Sequence, residues 1–182
     1  MSNACVLLAE GFEELEAVTI LDVLRRAGIE TEALSVGNQR VAGAHGIPVL
    51  ADRTLKEGAG ERWDAVILPG GLPGATNLQE DPQVLALVQE QNRSGRMVAA
   101  ICAAPIALAS AGVLEGRRAT CYPGFEDQLG KVERSEERVV IDGNVITSRG
   151  PGTALDFALT LVEELKGREA ADALRDAMLI TR

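Results

Sequence analysis

Apolar residues fall along this chain in short unbroken runs separated by longer amphipathic stretches, and that alternation sets the predicted elements. Ala4 to Ala9 has the length and character of a strand buried on both faces. Glu10-Gly11-Phe12 breaks it, and from Glu13 to Ala27 the residues Ala17, Ile20, Leu21, Leu24 and Ala27 recur at helical spacing. Acids crowd the first turn of this helix, Arg25 and Arg26 occupy its last, and Gly28 stops it, a charge order that complements the helix dipole. Ile29 to Val36 predicts a second strand, and 37–52 a small excursion of short strands with His45 in its turn. Residues 63–68 predict another buried strand, ending at Pro69-Gly70-Gly71-Leu72-Pro73-Gly74. Asp81 and Pro82 supply the N-cap and first-position proline of a helix reaching about Ser94.

Met97 to Ile101 is a strand that delivers Cys102, and Ala103 to Ala111 predicts the helix that follows. Arg118 to Cys121, Val132 to Arg134, Val139 to Ile141 and Val145 to Thr147 predict short strands, with a helical turn over Phe125 to Leu129. The last two strands are joined by Asp142-Gly143-Asn144, a hairpin signal. Thr153 and Asp156 stand at capping-box spacing before a helix to about Lys166, and a final helix spans Arg168 to Asp176. With no repeat or linker, one domain over residues 1–182 is expected. Strand and helix alternate, which implies an α/β fold: a mainly parallel sheet with helices on both faces. Ligands bind such sheets beyond the carboxyl ends of the strands. Three strand ends, at Glu10-Gly11, Gly70-Gly71 and Cys102, are therefore expected to converge on one cleft.

Length and charge narrow the function classes. A chain of 182 residues buries enough surface to need no disulfide or metal staple, and three scattered cysteines with one histidine do not make a zinc site. No metal or organic cofactor is expected. A formal charge of -9 argues against nucleic acid or an anionic membrane as principal partner. The start of the chain carries neither a basic leader region nor an apolar stretch of membrane-spanning length, so a soluble cytoplasmic protein is expected.

Candidate chemistry centres on Cys102. A strand that turns at once into a helix lifts the turn side chain above the sheet edge, toward amides that favour thiolate over thiol. Elsewhere a lone cysteine in an apolar run is a small inert core residue. Histidine is the usual proton partner of a cysteine nucleophile, and the single one, His45, is expected in an exposed turn away from the cleft. A carboxyl remains. Glu16 prolongs the apolar row Ile20, Val23, Ala27; Glu13 does nearly the same along Ala17, Ile20, Leu24; Glu14 aligns with Arg25 and is expected to face water. Periodicity does not choose between Glu13 and Glu16, and either would be a buried acid whose titration is coupled to the thiol. The amides of Gly70, Gly71 and Ala103 are candidate oxyanion donors.

Ala9-Glu10-Gly11-Phe12-Glu13-Glu14-Leu15-Glu16, Leu68-Pro69-Gly70-Gly71, Ala100-Ile101-Cys102-Ala103-Ala104-Pro105 and Thr147-Ser148-Arg149-Gly150-Pro151-Gly152-Thr153 together resemble the ThiJ/PfpI superfamily. Within it the likeness is to the Parkinsonism-associated deglycase branch and its bacterial YajL-type relatives. The resemblance covers nearly the whole chain. It implies a flavodoxin-like three-layer sandwich, a homodimer, a reactive Cys102 at a strained turn, and Glu16 as the protonated carboxyl beside it. It also matches Gly70, Gly71 and Ala103 to the backbone donors around the thiol. Tyr122 stands where the animal branch has a histidine, and Ala103 where protease-like members have one, which weakens a peptidase reading. Glu13, Tyr122 and Arg149 are expected to border the substrate pocket, with a surface ion pair the plainer role for Arg149. Cys121 is either a second redox thiol or a buried core cysteine.

The activity this resemblance implies is cofactor-free handling of small aldehydes, methylglyoxal and glyoxal or their adducts on proteins and nucleotides, together with oxidative-stress protection. The alternative is a redox-sensing chaperone controlled by oxidation of Cys102.

Overall fold

The computed structural model describes residues 2–180; Met1, Thr181 and Arg182, part of the expected 1–182 domain, lie outside the described residues. The first apolar run forms β1 (Asn3–Leu8), buried from Ala4 onward, and leads through a turn into α1 (Glu14–Arg26), whose apolar stripe faces the core. β2 (Glu30–Ser35) follows. The expected excursion is an antiparallel hairpin of β3 (Arg40–Ala42) and β4 (Pro48–Leu50), then a two-residue strand, β5 (Arg53–Thr54). The fully buried β6 (Ala65–Leu68) comes next.

Two helices, α2 (Gly74–Glu80) and α3 (Pro82–Arg93), then lead to β7 (Met97–Ile101). The Asp81 carboxylate accepts from the Gln83 and Val84 amides, so the predicted cap forms. By contrast α2 occupies a stretch expected to be loop. It is short, and only Gly74, Ala75 and Leu78 are buried, too few apolar positions to announce a helix. After Cys102 the chain makes a turn over Ala103 and Ala104, so α4 (Pro105–Ser110) is shorter than expected. β8 (Arg118–Ala119) pairs with β9 (Glu133–Arg134), and β10 (Val139–Asp142) forms the predicted hairpin with β11 (Val145–Ser148). Finally α5 (Ala154–Lys166) and α6 (Arg168–Ala177) pack on each other.

The predicted capping box at Thr153 and Asp156 does not form. The Thr153 hydroxyl turns back toward Gly150, where it lies within hydrogen-bond distance of the carbonyl and accepts from the amide, and it stands 2.7 Å from the Ser148 hydroxyl. Asp156 instead pairs with Arg138.

The seven-stranded sheet has the order β10-β11-β7-β6-β1-β2-β5, parallel throughout except for the β10–β11 edge. Helices α1, α5 and α6 form one outer layer and α2, α3 and α4 the other, giving the flavodoxin-like α/β arrangement. From β1 the chain builds outward in both directions, first to β2 and later to β6, β7 and β11. The strand order therefore reverses between β1 and β6. That reversal opens a crevice above their carboxyl ends, where the turns after β1, β6 and β7 meet.

Candidate active site

Cys102 follows β7 directly, and its backbone is held in the left-handed region, φ 64°. A β-substituted residue is strained there, so the surroundings must fix it. They do so from both sides: the Cys102 N–H donates to the Ser148 carbonyl at 3.0 Å, and its own carbonyl accepts from the Tyr122 amide at 2.8 Å. Only 9 % of the residue is exposed. The strained strand-to-helix turn expected at this position is present.

Gly70, at the end of β6, faces the thiol so closely that a Cβ there would lie 2.5 Å from the Cys102 Cβ and 2.8 Å from Glu16 Oε2. Glycine is needed for this approach. Gly71, at φ 90°, is equally confined, since a Cβ would meet the Glu13 amide at 2.3 Å. Glu13 in turn donates its backbone N–H to the Gly70 carbonyl at 2.8 Å. The strand ends at Glu10-Gly11, Gly70-Gly71 and Cys102 are thus locked into one cluster, as their sequence positions implied.

Of the two acids that periodicity left open, the structure places Glu16 beside the thiol. It is fully buried, and Oε2 accepts the Gly70 amide at 2.7 Å. Oε1 is buried with no hydrogen-bond partner among the described residues, although the carboxyl lies near enough to Cys102 for each group to shift the other's titration. Burial drives the Glu16 carboxyl up to about 7, against the lowering effects of the Gly70 amide and Cys102. Burial, followed by the charge of Glu16, pushes the Cys102 thiol up to about 12, while the Gly71 and Ala103 amides pull it down. Glu16 opposes the thiolate only while its carboxyl is ionised. Once Glu16 is protonated that repulsion vanishes, so the two groups titrate as one unit.

The Gly70 amide, expected among the oxyanion donors, is already given to Glu16, which leaves Gly71 and Ala103 as the donors at sulfur. The Tyr122 ring packs toward Gly150, with 46 % of the residue exposed, and its backbone amide bonds the Cys102 carbonyl. Arg149 points elsewhere: it lines a hollow of about 320 Å³ with Cys121, Glu126 and Arg134, and donates to the Glu136 carbonyl. Cys121 is a buried thiol, pushed up to about 11 by burial.

His45 lies in an exposed turn, as expected, but that turn is not remote from the start of α1, and Glu14 does not face water. The β3–β4 hairpin folds back over the start of α1, with Gly11 N–H donating to the Ala42 carbonyl and Ala44 N–H to that of Phe12. His45 therefore sits at the cleft's rim, its Nδ1 2.9 Å from Glu14 and 3.5 Å from Glu13. Glu14, expected to face water, is buried beneath this hairpin and accepts the amides of His45 and Ile47. Burial works against its charge, yet the His45 ring and these amides hold it down to about 2. Neither contact has a local signal, because 31 residues separate Glu14 from His45 and 33 separate it from Ile47. Glu13, Glu14 and His45 are also the grouping of metal-ligand atoms found among the described residues, within 4.8 Å of one another, and those of Glu14 and His45 are engaged in these hydrogen bonds.

Residues 2–164 of the chain match the model of the DJ-1/PfpI family. The chain belongs to this family. The dj-1beta protein of Drosophila melanogaster is 41% identical over 181 residues, covering 98% of this chain and 97% of its own, and a crystal structure of that fly protein superposes with a TM-score of 0.97 over 100% of both chains. The Caenorhabditis elegans DJ-1/PfpI relative, glutathione-independent glyoxalase DJR-1.2, is 36% identical over 183 residues, covering 99% and 97%. Two Arabidopsis thaliana DJ-1 homologs, B and A, are 46% and 43% identical but much longer, and this chain spans 38% and 45% of their length.

Proposed function

We propose that the chain is a glutathione-independent glyoxalase acting on methylglyoxal and glyoxal, with Cys102 as nucleophile and Glu16 as the group that moves protons. The observation that carries this reading is Cys102 at φ 64°, buried beside the Glu16 carboxyl and the amides of Gly71 and Ala103. The relative named as a glyoxalase, similar along nearly its whole length, supports it.

In the reactive state the shared proton resides on Glu16 and the charge on sulfur. The thiolate attacks the aldehyde carbon, and the oxygen of the new hemithioacetal takes the proton from Glu16, leaving its carboxylate. Glu16 then carries a proton from the former aldehyde carbon to its neighbour through an enediol, leaving a thioester. Water cleaves the thioester, releasing lactate from methylglyoxal or glycolate from glyoxal and restoring the thiol. Aldehyde adducts on proteins and nucleotides would enter at the same carbon. Conversion of methylglyoxal to lactate without glutathione, present in the wild type and absent from Cys102→Ser, tests this reading.

The same amides favour a second use of the thiol. Two equivalents of peroxide convert the thiolate to a sulfinate and water, and the N–H groups of Gly71 and Ala103 are placed to hold its oxygens. Oxidative-stress protection and redox-controlled chaperone action follow from this reading. Selective addition of two oxygens at Cys102, seen by mass spectrometry, tests it.

We further propose a homodimer, through an exposed apolar face of Leu15 and Val18 on α1 with Ile47 and Leu50 on the hairpin. Cytoplasmic residence belongs to the same proposal, since a free thiol stays reduced there. No helix among the described residues is long and apolar enough to cross a membrane.

A further inference from the structure

Strand β7 has chemistry at both ends. Cys102 follows it, and Arg96 immediately precedes it, about 20 Å away at the rise of an extended chain. Beside Arg96, between the 55–62 segment and α3, lies a cavity of about 590 Å³, a volume typical of small-molecule sites. Leu55, Ala59, Ala86 and Leu87 make its wall apolar, and Arg62 and Arg96 bring two guanidinium groups to it.

The charges around this cavity are unevenly satisfied. Glu61 is held by both terminal nitrogens of Arg53, at 2.7 and 2.8 Å. Glu90 accepts from Arg93 at 2.7 Å and from Ser94 at 2.9 Å. Both acids of the wall are therefore engaged by other groups. Arg62 and Arg96 form no ion pair among the described residues. Arg96 also borders a second hollow with Asp64 and Glu164, and pairs with neither. Its Nε is buried and lacks any hydrogen-bond partner among the described residues. Leaving such a donor unmet costs more than a neutral one, because the group is charged. The neighbouring Gln91 does not relieve it, since its amide donates to the carbonyls of Trp63 and Met97.

An apolar hollow lined by two arginine side chains that form no ion pair among the described residues is complementary to an amphipathic anion. We propose that this cavity is a second ligand site, taking a small molecule with an apolar body and one carboxylate, whose oxygens bond Arg96 with Arg62 close by. The apolar body lies against Leu55, Ala59 and Leu87. One carboxylate supplies the acceptor that Glu61 and Glu90 do not. The site is independent of Cys102 and would stand whatever reaction occurs there.

Octanoate is the probe, 1-octanol its neutral counterpart, and calorimetry on the whole protein the measurement. Trp63, the sole tryptophan, is buried beside Arg62 and gives a fluorescence readout as well. Octanoate is expected to bind saturably at one site per chain, at least about tenfold more tightly than 1-octanol. Arg96→Gln should weaken octanoate by about tenfold or more. Ala86 is exposed on α3, so Ala86→Glu should fold normally while placing a carboxylate in the cavity, and it should abolish binding. Cys102→Ala should bind like the wild type. The proposal is overturned if the folded wild type shows no saturable binding or binds 1-octanol as tightly. It is equally overturned if Ala86→Glu binds unchanged, if a folded Arg96→Gln does, or if Cys102→Ala abolishes binding.

Discussion

Gly70 and Cys102 approach so closely that no side chain fits between them: a Cβ on Gly70 would stand 2.5 Å from that of Cys102. This contact joins the ends of β6 and β7 and lets one amide, that of Gly70, reach Glu16. Gly70→Ala must push the thiol and the carboxyl apart. Lactate formation from methylglyoxal is expected to fall by about 100-fold, as a displacement near 1 Å at a reacting centre does. Steady-state assay of the folded variant checks this.

Cys102 carries strain that only its backbone conformation explains. Both Cys102→Ala and Cys102→Gly remove the thiol, but glycine alone relieves the positive φ. Cys102→Gly is expected to be about 1 kcal/mol more stable than Cys102→Ala in urea unfolding.

The raised Glu16 titration has a signature in stability. A carboxyl whose folded-state value lies near 7, above its ordinary value of 4.5, binds its proton more tightly in the native state. The stability this contributes is complete below about pH 4.5 and is lost as pH rises toward 7. Glu16→Gln escapes the loss. Its Tm should exceed that of the wild type by about 5 °C at pH 8, with the gap shrinking toward pH 4.5.

His45 behaves in the same sense at a different pH. Its ring is raised above 6.5 by the hydrogen bond to Glu14 and the charges of Glu13 and Glu14. Stabilisation by the charged ring is present below about pH 6.5 and disappears as pH climbs through the folded value. The Tm difference between wild type and His45→Gln should be largest at pH 6 and smaller at pH 9, where both proteins lack the ring charge.

Most of the sheet was legible because each buried strand is a short apolar run with glycine or an acid at its end, as β1 and β6 show. The strand-to-helix turn at Cys102 was legible for the same reason. Helix α2 was not, since Pro73 and Gly74 look like a turn and only three of its seven residues are buried. The two candidate acids of α1 could not be separated by spacing, because Glu13 and Glu16 both continue apolar rows; what separates them is the position of Gly70, fixed by strand pairing 54 residues away. The burial of Glu14 and the place of His45 depend likewise on a hairpin that crosses the start of α1, a long-range contact to which no local periodicity refers.

The central claim is that the proton on Glu16 permits the Cys102 thiolate and that the same group then moves protons in turnover. Glu16→Gln separates the two roles, since the neutral amide removes the repelling charge but cannot exchange a proton. The decisive measurement is the iodoacetamide alkylation rate of Cys102 at pH 7 alongside lactate formation, in wild type and Glu16→Gln. The account predicts alkylation at least as fast in the variant, with lactate formation reduced by about 100-fold or more. Alkylation that slows in step with turnover, or turnover that survives, would contradict it.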